Sequence, residues 1–194
     1  MARYKVEHKE QTRERIIAAA GRAFRKGGYS GIGVDGLAKE AGVTSGAFYG
    51  HFASKEDAFK EAVIFGLNEL KVGLDYFQAE YGSKWIEPFI DFYLGEKLTC
   101  DLTKACSMPA LTPEVSRSNN AIREVYQIEL AKILETIAKG LPQKNPEDRS
   151  QRAWAFICLL SGGVTTIRAL VDETLSKEAI KAIRAAAVTV AENK

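Results

Sequence analysis

Histidine is scarce in this 194-residue chain: His8 and His51 are the only two. Acid–base catalysis would have to lean on carboxylates or on a cysteine. There is no cluster of residues at metal-ligand spacing and no phosphate-cradling glycine loop, so no metal and no cofactor are expected. An enzyme is therefore the weakest class of function. Cysteine is also sparse, with Cys100, Cys106 and Cys158, too few for a disulfide framework and in keeping with reduced thiols in a cytoplasmic setting. The five prolines all fall from Pro88 onward, so in the first 87 residues no proline interrupts a helix. Long apolar runs are missing too. The longest, 153–160, is far short of the ~18 residues a membrane span needs, and the first 30 residues hold no run of signal-peptide type. Alternation of strand type, internal repeats and low-complexity segments are absent.

What is present is helical periodicity. With 46% hydrophobic and 27% charged residues, the chain is rich enough to build a core and polar enough to stay in solution. The expected fold is all-α, with about nine helices. Residues 1–10 read as a loose basic arm. Ile16, Ile17, Ala20, Ala23 and Phe24 mark one face of a first helix, stopped at Gly27-Gly28. A short helix over 34–41 follows, and Gly42 ends it. Thr44 can cap the next, which runs to about His51. Ser54, with acidic residues directly after it, starts a fourth helix that reaches about Gln78. Beyond it, helices are expected over 84–98, 106–111, 114–139, 146–171 and 176–192, the last capped by Ser176.

The charge is unevenly spread. Residues 1–60 carry 11 Lys and Arg against 7 Asp and Glu, and the remainder 16 against 18. A basic end on a slightly acidic body fits a polyanionic partner met at that end.

The most informative stretch is Leu37-Ala38-Lys39-Glu40-Ala41-Gly42-Val43-Thr44-Ser45-Gly46-Ala47-Phe48-Tyr49-Gly50-His51-Phe52. It reads as two short helices joined by a tight turn at Gly42. Leu37, Ala38 and Ala41 give the first an apolar face, onto which Val43, Phe48 and Phe52 can fold. A short second helix held end-on is what reading of a DNA major groove requires. This string resembles the tetracycline-repressor (TetR) family of bacterial regulators. Gly28-Tyr29 and Val34-Asp35-Gly36 before it carry the likeness too, as does Ser54-Lys55-Glu56 after it. The resemblance covers roughly residues 11–60. It implies a DNA-binding domain over 1–54, a three-helix bundle with a helix-turn-helix. A helical ligand-sensing and dimerisation domain would occupy 55–194.

Position by position, Thr44, Tyr49, His51 and Lys55 carry hydroxyl, imidazole and ammonium groups suited to phosphates. They match the family's backbone contacts. Ser45, Gly46, Ala47 and Gly50 fall where such proteins touch base edges. All four are small, so direct reading by this helix should be sparse, and the arm (Arg3, Lys5, Lys9) and DNA deformability are expected to supply part of the specificity. Before the second helix the family often has a Thr or Ser, and here stands Gly33, whose backbone amide must replace a hydroxyl. Plainer readings stand beside these: Tyr49 as packing, His51 as a surface or capping residue, Lys55 as a solvated helix start.

In the second half, Trp85, Phe89, Phe92, Tyr93, Tyr126 and Trp154 could line an effector cavity or simply build a core. Asn68, Arg123 and Gln127 could orient a ligand or lie at the surface. Cys106, near an expected helix start and beside Lys104, is either a reactive sensor thiol or a small buried residue. The helices over 146–171 and 176–192 are rich in small residues. The resemblance implies that they form a four-helix homodimer interface. Arg168 and Asp172, at i and i+4, could pair on the surface. The function expected is a homodimeric regulator of transcription, a repressor released from a near-palindromic double-stranded DNA operator by a lipophilic or electrophilic effector. The alternative is an architectural DNA-binding protein without an effector. No membrane partner is expected.

Overall fold

The computed structural model describes residues 2–142 and 145–192, with side chains from His8 onward. Among these residues every regular element is helical: α1 (Ala2–Gly27), α2 (Val34–Glu40), α3 (Ser45–Tyr49), α4 (Lys55–Tyr81), α5 (Ile86–Leu94), the single turn α6 (Glu96–Thr99), α7 (Ser107–Ser116), α8 (Asn120–Gly140), α9 (Pro146–Ile167) and α10 (Glu173–Glu192). Two 3₁₀ turns, Gly82–Lys84 and Leu102–Lys104, lie between them.

Several boundaries differ from expectation, each for a local reason. The arm is not loose, because α1 is helical from Ala2; the side chains of Arg3 and Lys5 lie outside the described residues. The segment 84–98 is not one helix: Gly95, at φ −103° and ψ −93°, breaks it between α5 and α6. The long helix expected from 114 is two. α7 runs through Pro113 and ends at Ser116, and α8 starts afresh where Asn119 Oδ1 accepts the N–H of Ile122 at 3.1 Å. α10 begins three residues early, because Asp172 rather than Ser176 caps it. Asp172 Oδ1 accepts the Leu175 N–H at 2.7 Å, and the Ser176 hydroxyl turns back to the Asp172 carbonyl.

The chain forms two compact units that do not follow sequence order: Met1–Gly66 with Leu102–Tyr126, and Leu67–Asp101 with Gln127–Lys194. In the first, Ile16, Ala20, Phe24, Leu37, Phe48, Phe52 and Phe59 are buried. Phe59 packs edge-on against both Phe24 and Tyr29. Arg25 reaches from α1 to the Thr103 carbonyl and, at 2.9 Å, to the Ser107 hydroxyl. Ser107 in turn lies against Gly66 of α4, so closely that a Cβ there would overlap it.

The second unit has an aromatic centre in which Trp85, Phe89, Tyr93 and Phe156 are buried and packed ring against ring. Trp85 Nε1 donates to the Gly140 carbonyl at 2.9 Å, which satisfies the indole's donor and closes the last turn of α8. α9 and α10 approach closely at Gly163, where any Cβ would run into Ile183. The buried Arg152 locks this pair. Its guanidinium donates to the carbonyls of Val190 and Ala191 at the end of α10 and to Asp148 one turn back on α9.

Candidate nucleic-acid interface

The helix-turn-helix forms where the sequence places it. Gly33, in extended conformation, caps α2 without a side chain. After Ala41 the chain reverses at Gly42, whose φ of +67° lies in the left-handed region that glycine enters without steric cost. The turn is held by backbone bonds from Gly42 to Lys39 and from Val43 to Ala38. Arg15 of α1 donates to the Ala41 carbonyl at 3.0 Å. A cation thus sits at the C-terminal end of α2, where unpaired carbonyls gather.

Thr44 caps α3: its Oγ1 accepts the Ala47 N–H at 3.1 Å. Its hydroxyl is committed as an acceptor and keeps its hydrogen to donate outward. Phe48 and Phe52 are buried, and Arg13 lies over the Phe52 ring while pairing with Glu61 at 2.9 Å. These fixed points leave one surface outward. Gly46, Ala47 and Gly50 are exposed, and Tyr49 is 56% exposed, its ring meeting that of Phe48 edge-on at 5.6 Å. Ser45 is half-buried, and its hydroxyl donates to Asp35 Oδ1 at 2.5 Å.

His51 is half-buried, and its Nδ1 is buried without a hydrogen-bond partner. Burial first, then the nearby charges of Lys9 and Arg13, hold its pKa below the ordinary imidazole value. Lys55, at the start of α4, places its ammonium 4.2 Å from the centre of the Tyr29 ring, a cation–π contact that fixes where the charge sits. Ser54 caps α4 through the Asp57 N–H.

Of the expected effector residues, Trp85, Phe89 and Tyr93 come together, each at most 1% exposed. Phe92 is half-buried against Phe77. Cys106 stands at the N-cap of α7 and is half-buried. The Tyr126 hydroxyl shares a 2.7 Å hydrogen bond with Thr112. Arg123, Gln127 and Asn68 are exposed, and Trp154 is 48% exposed on α9. Arg168 and Asp172 do not pair: Arg168 donates to the carbonyls of Lys97 and Cys100 and Asp172 is the α10 cap.

Two residues were not legible as site residues. Arg15 acts on a turn 26 residues away, a distance that no helical period spans. Asp35 lies within the motif, but its bond to Ser45 exists only once the two helices cross.

Residues 16–62 match the family described as bacterial regulatory proteins, tetR family. The transcriptional regulator AcrR of Shigella flexneri is 39% identical over 85 residues, which are 44% of this chain and 38% of that protein. The chain thus matches about two fifths of that relative's length. Among solved structures, a TetR-family regulator from Cytophaga hutchinsonii superposes with a TM-score of 0.76 over 96% of this chain and 98% of its own, at 18% identity. Reduced E. coli NemR gives 0.75 over 89% and 95%, at 19% identity. The structural likeness extends over nearly the whole chain, while the sequence likeness is concentrated on the helix-turn-helix: residues 16–62 carry the tetR-family match, and the fold as a whole is the one these solved structures share.

Proposed function

We propose that this chain is a cytoplasmic regulator of transcription that binds a near-palindromic operator as a homodimer, normally as a repressor, and leaves it when an effector binds. Residues 1–54 bind DNA and 55–194 sense and dimerise. The observation that carries the reading is the surface around α3: buried Phe48 and Phe52 fix the helix, while Thr44, Tyr49, His51 and Lys55 stand around it with hydrogens or charge for phosphates. The Gly33 amide, at the exposed start of α2, adds a backbone donor. With Nδ1 of His51 buried, the neutral ring keeps its hydrogen on Nε2, where it serves as a donor. Gly46, Ala47 and Gly50 present only backbone and one methyl group, so base contacts from α3 are few.

The effector part rests on two observations. Trp85, Phe89 and Tyr93, with Phe92 beside them, form an aromatic centre suited to a lipophilic molecule. Cys106 sits beside Ser107, which Arg25 ties to α1. A change at that thiol therefore has a short route to the DNA-binding helices. The Tyr126 hydroxyl, bonded to Thr112 of α7, lies in the same compact unit as Cys106. The dimer would use α9 and α10. In α9, Trp154, Ala155, Cys158 and Gly162 recur along an exposed side of the helix, small enough, apart from Trp154, for close approach of a second copy.

A gel shift with duplex DNA flanking the chain's own gene tests the reading. A shifted band whose affinity falls steeply between roughly 50 and 200 mM salt is expected, as release of counterions from several phosphates requires. No shift, or one insensitive to salt, counts against it.

A further inference from the structure

We propose that Asp35 is a base-reading residue of this surface, accepting a hydrogen bond from the amino group of a cytosine in the major groove, with Ser45 as its positioning residue. This deepens the DNA-binding reading above and rests on it.

The placement comes from one contact between the two helices of the motif. Asp35 is exposed in the first turn of α2, and Ser45 is the first residue of α3. The 2.5 Å bond from Ser45 Oγ to Asp35 Oδ1 holds the carboxylate at the N-terminal tip of α3. In a helix-turn-helix that tip is the part that meets base edges. Oδ2 has no partner among the described residues, so one acceptor oxygen is fixed in position with its lone pairs unused. α3 carries no charged side chain of its own, and Gly46, Ala47 and Gly50 bring no side-chain donor or acceptor. Beside the Ser45 and Tyr49 hydroxyls, the carboxylate of Asp35 is thus the charged group at this reading surface.

A carboxylate in a groove has few favourable neighbours. Phosphates repel it, as do the acceptor oxygens and N7 atoms of guanine, thymine and adenine. The major groove offers donors only at cytosine N4 and adenine N6. The adenine amino group lies beside the acceptor N7, whereas cytosine N4 lies beside a C–H edge. A carboxylate acceptor that makes no donor of its own therefore favours cytosine. Over any other base it costs affinity, so it selects by repulsion as well as by attraction. This adds a specific contact to a recognition helix whose own side chains give almost none.

The test is selection of bound duplexes from a random pool by the full-length protein. It is followed by titration of the selected duplex, its single-position variants and an unrelated duplex. The proteins titrated are wild type, Asp35→Asn, Asp35→Ala and Ser45→Ala. Wild type should select a half-site with a fixed cytosine, and replacing that base should weaken binding roughly fivefold or more. Asp35→Ala should lose discrimination at that position alone and bind the unrelated duplex more tightly. Asp35→Asn, nearly identical in size, should move the preference to adenine, whose N6 and N7 match an amide. Ser45→Ala should blunt the cytosine preference. A structural role for Asp35 would instead weaken binding to every duplex equally. That result, or an Asp35→Ala profile unchanged at every position, overturns the proposal. If wild type enriches no sequence at all, the DNA-binding reading itself falls and this proposal falls with it.

Discussion

His51 shows how a single side chain is set by surroundings that the linear sequence does not display. Its Nδ1 is buried without a partner, and Lys9 and Arg13 of α1 lie near enough to oppose protonation. The folded protein therefore binds a proton at His51 less readily than the unfolded chain does, for which the pKa is about 6.5. Above that value this residue imposes no penalty. As pH falls through it, the unfolded state takes up protons that the folded state resists, and stability drops until the folded pKa has been passed. Titration of the His51 ring protons by NMR should give a midpoint below that of an unstructured peptide, and His51→Gln should flatten the pH dependence of urea unfolding in that window. A midpoint at or above the peptide value would remove the argument. At this scale the proposed phosphate-contact set rests on residue types, since hydroxyls, imidazole and ammonium donate hydrogen bonds that phosphates accept. The partners that aim those groups do not: Tyr29 under Lys55 and Asp35 against Ser45 are produced by folding.

Between elements, the close approaches are made at particular glycines. Gly66 of α4 has Ser107 of α7 directly against it, and a Cβ there would overlap the Ser107 hydroxyl that Arg25 holds. Gly73, two turns further along the same helix, has open space where a Cβ would stand. Alanine favours a helix interior over glycine by about 1 kcal/mol. Gly73→Ala should therefore raise stability by up to about that amount. Gly66→Ala should lower it by about 1–3 kcal/mol, since overpacking exceeds the propensity gain. Urea denaturation of both variants decides this, and a stabilised Gly66→Ala would show that α7 shifts aside freely. From the sequence the two glycines are indistinguishable. Helix boundaries followed the same logic. Starts governed by a side-chain cap next to an apolar run, as at Thr44 and Ser54, were legible. Asn119 and Asp172 cap in the same local way, each accepting the N–H group three residues on.

For the whole molecule, the proposed assembly depends on α9 and α10. Their buried side is locked within the chain by Arg152, whose guanidinium takes the last carbonyls of α10. The outward side keeps Trp154 half in solvent. A two-fold dimer that reads adjacent major grooves needs its two recognition helices ~34–36 Å apart, one turn of DNA. Trp154→Arg would bury a charge in such an interface and should convert dimer to monomer in sedimentation, with loss of binding to a two-half-site duplex; an unchanged dimer would place the interface elsewhere. The sequence by itself determined the all-α class, the helix-turn-helix with its likeness to the tetR family, and the kinds of residue that stand around α3. Those depend on local periodicity, on caps and on a motif contained within some twenty residues. Only the tertiary structure decided that residues 102–126 join the N-terminal helices in one compact unit, that Arg15, Arg25 and Arg152 clamp distant carbonyls, and that Asp35 stands at the tip of α3. Such contacts join residues far apart in the chain or on separate helices, and they follow from how the apolar faces pack, which no local pattern encodes.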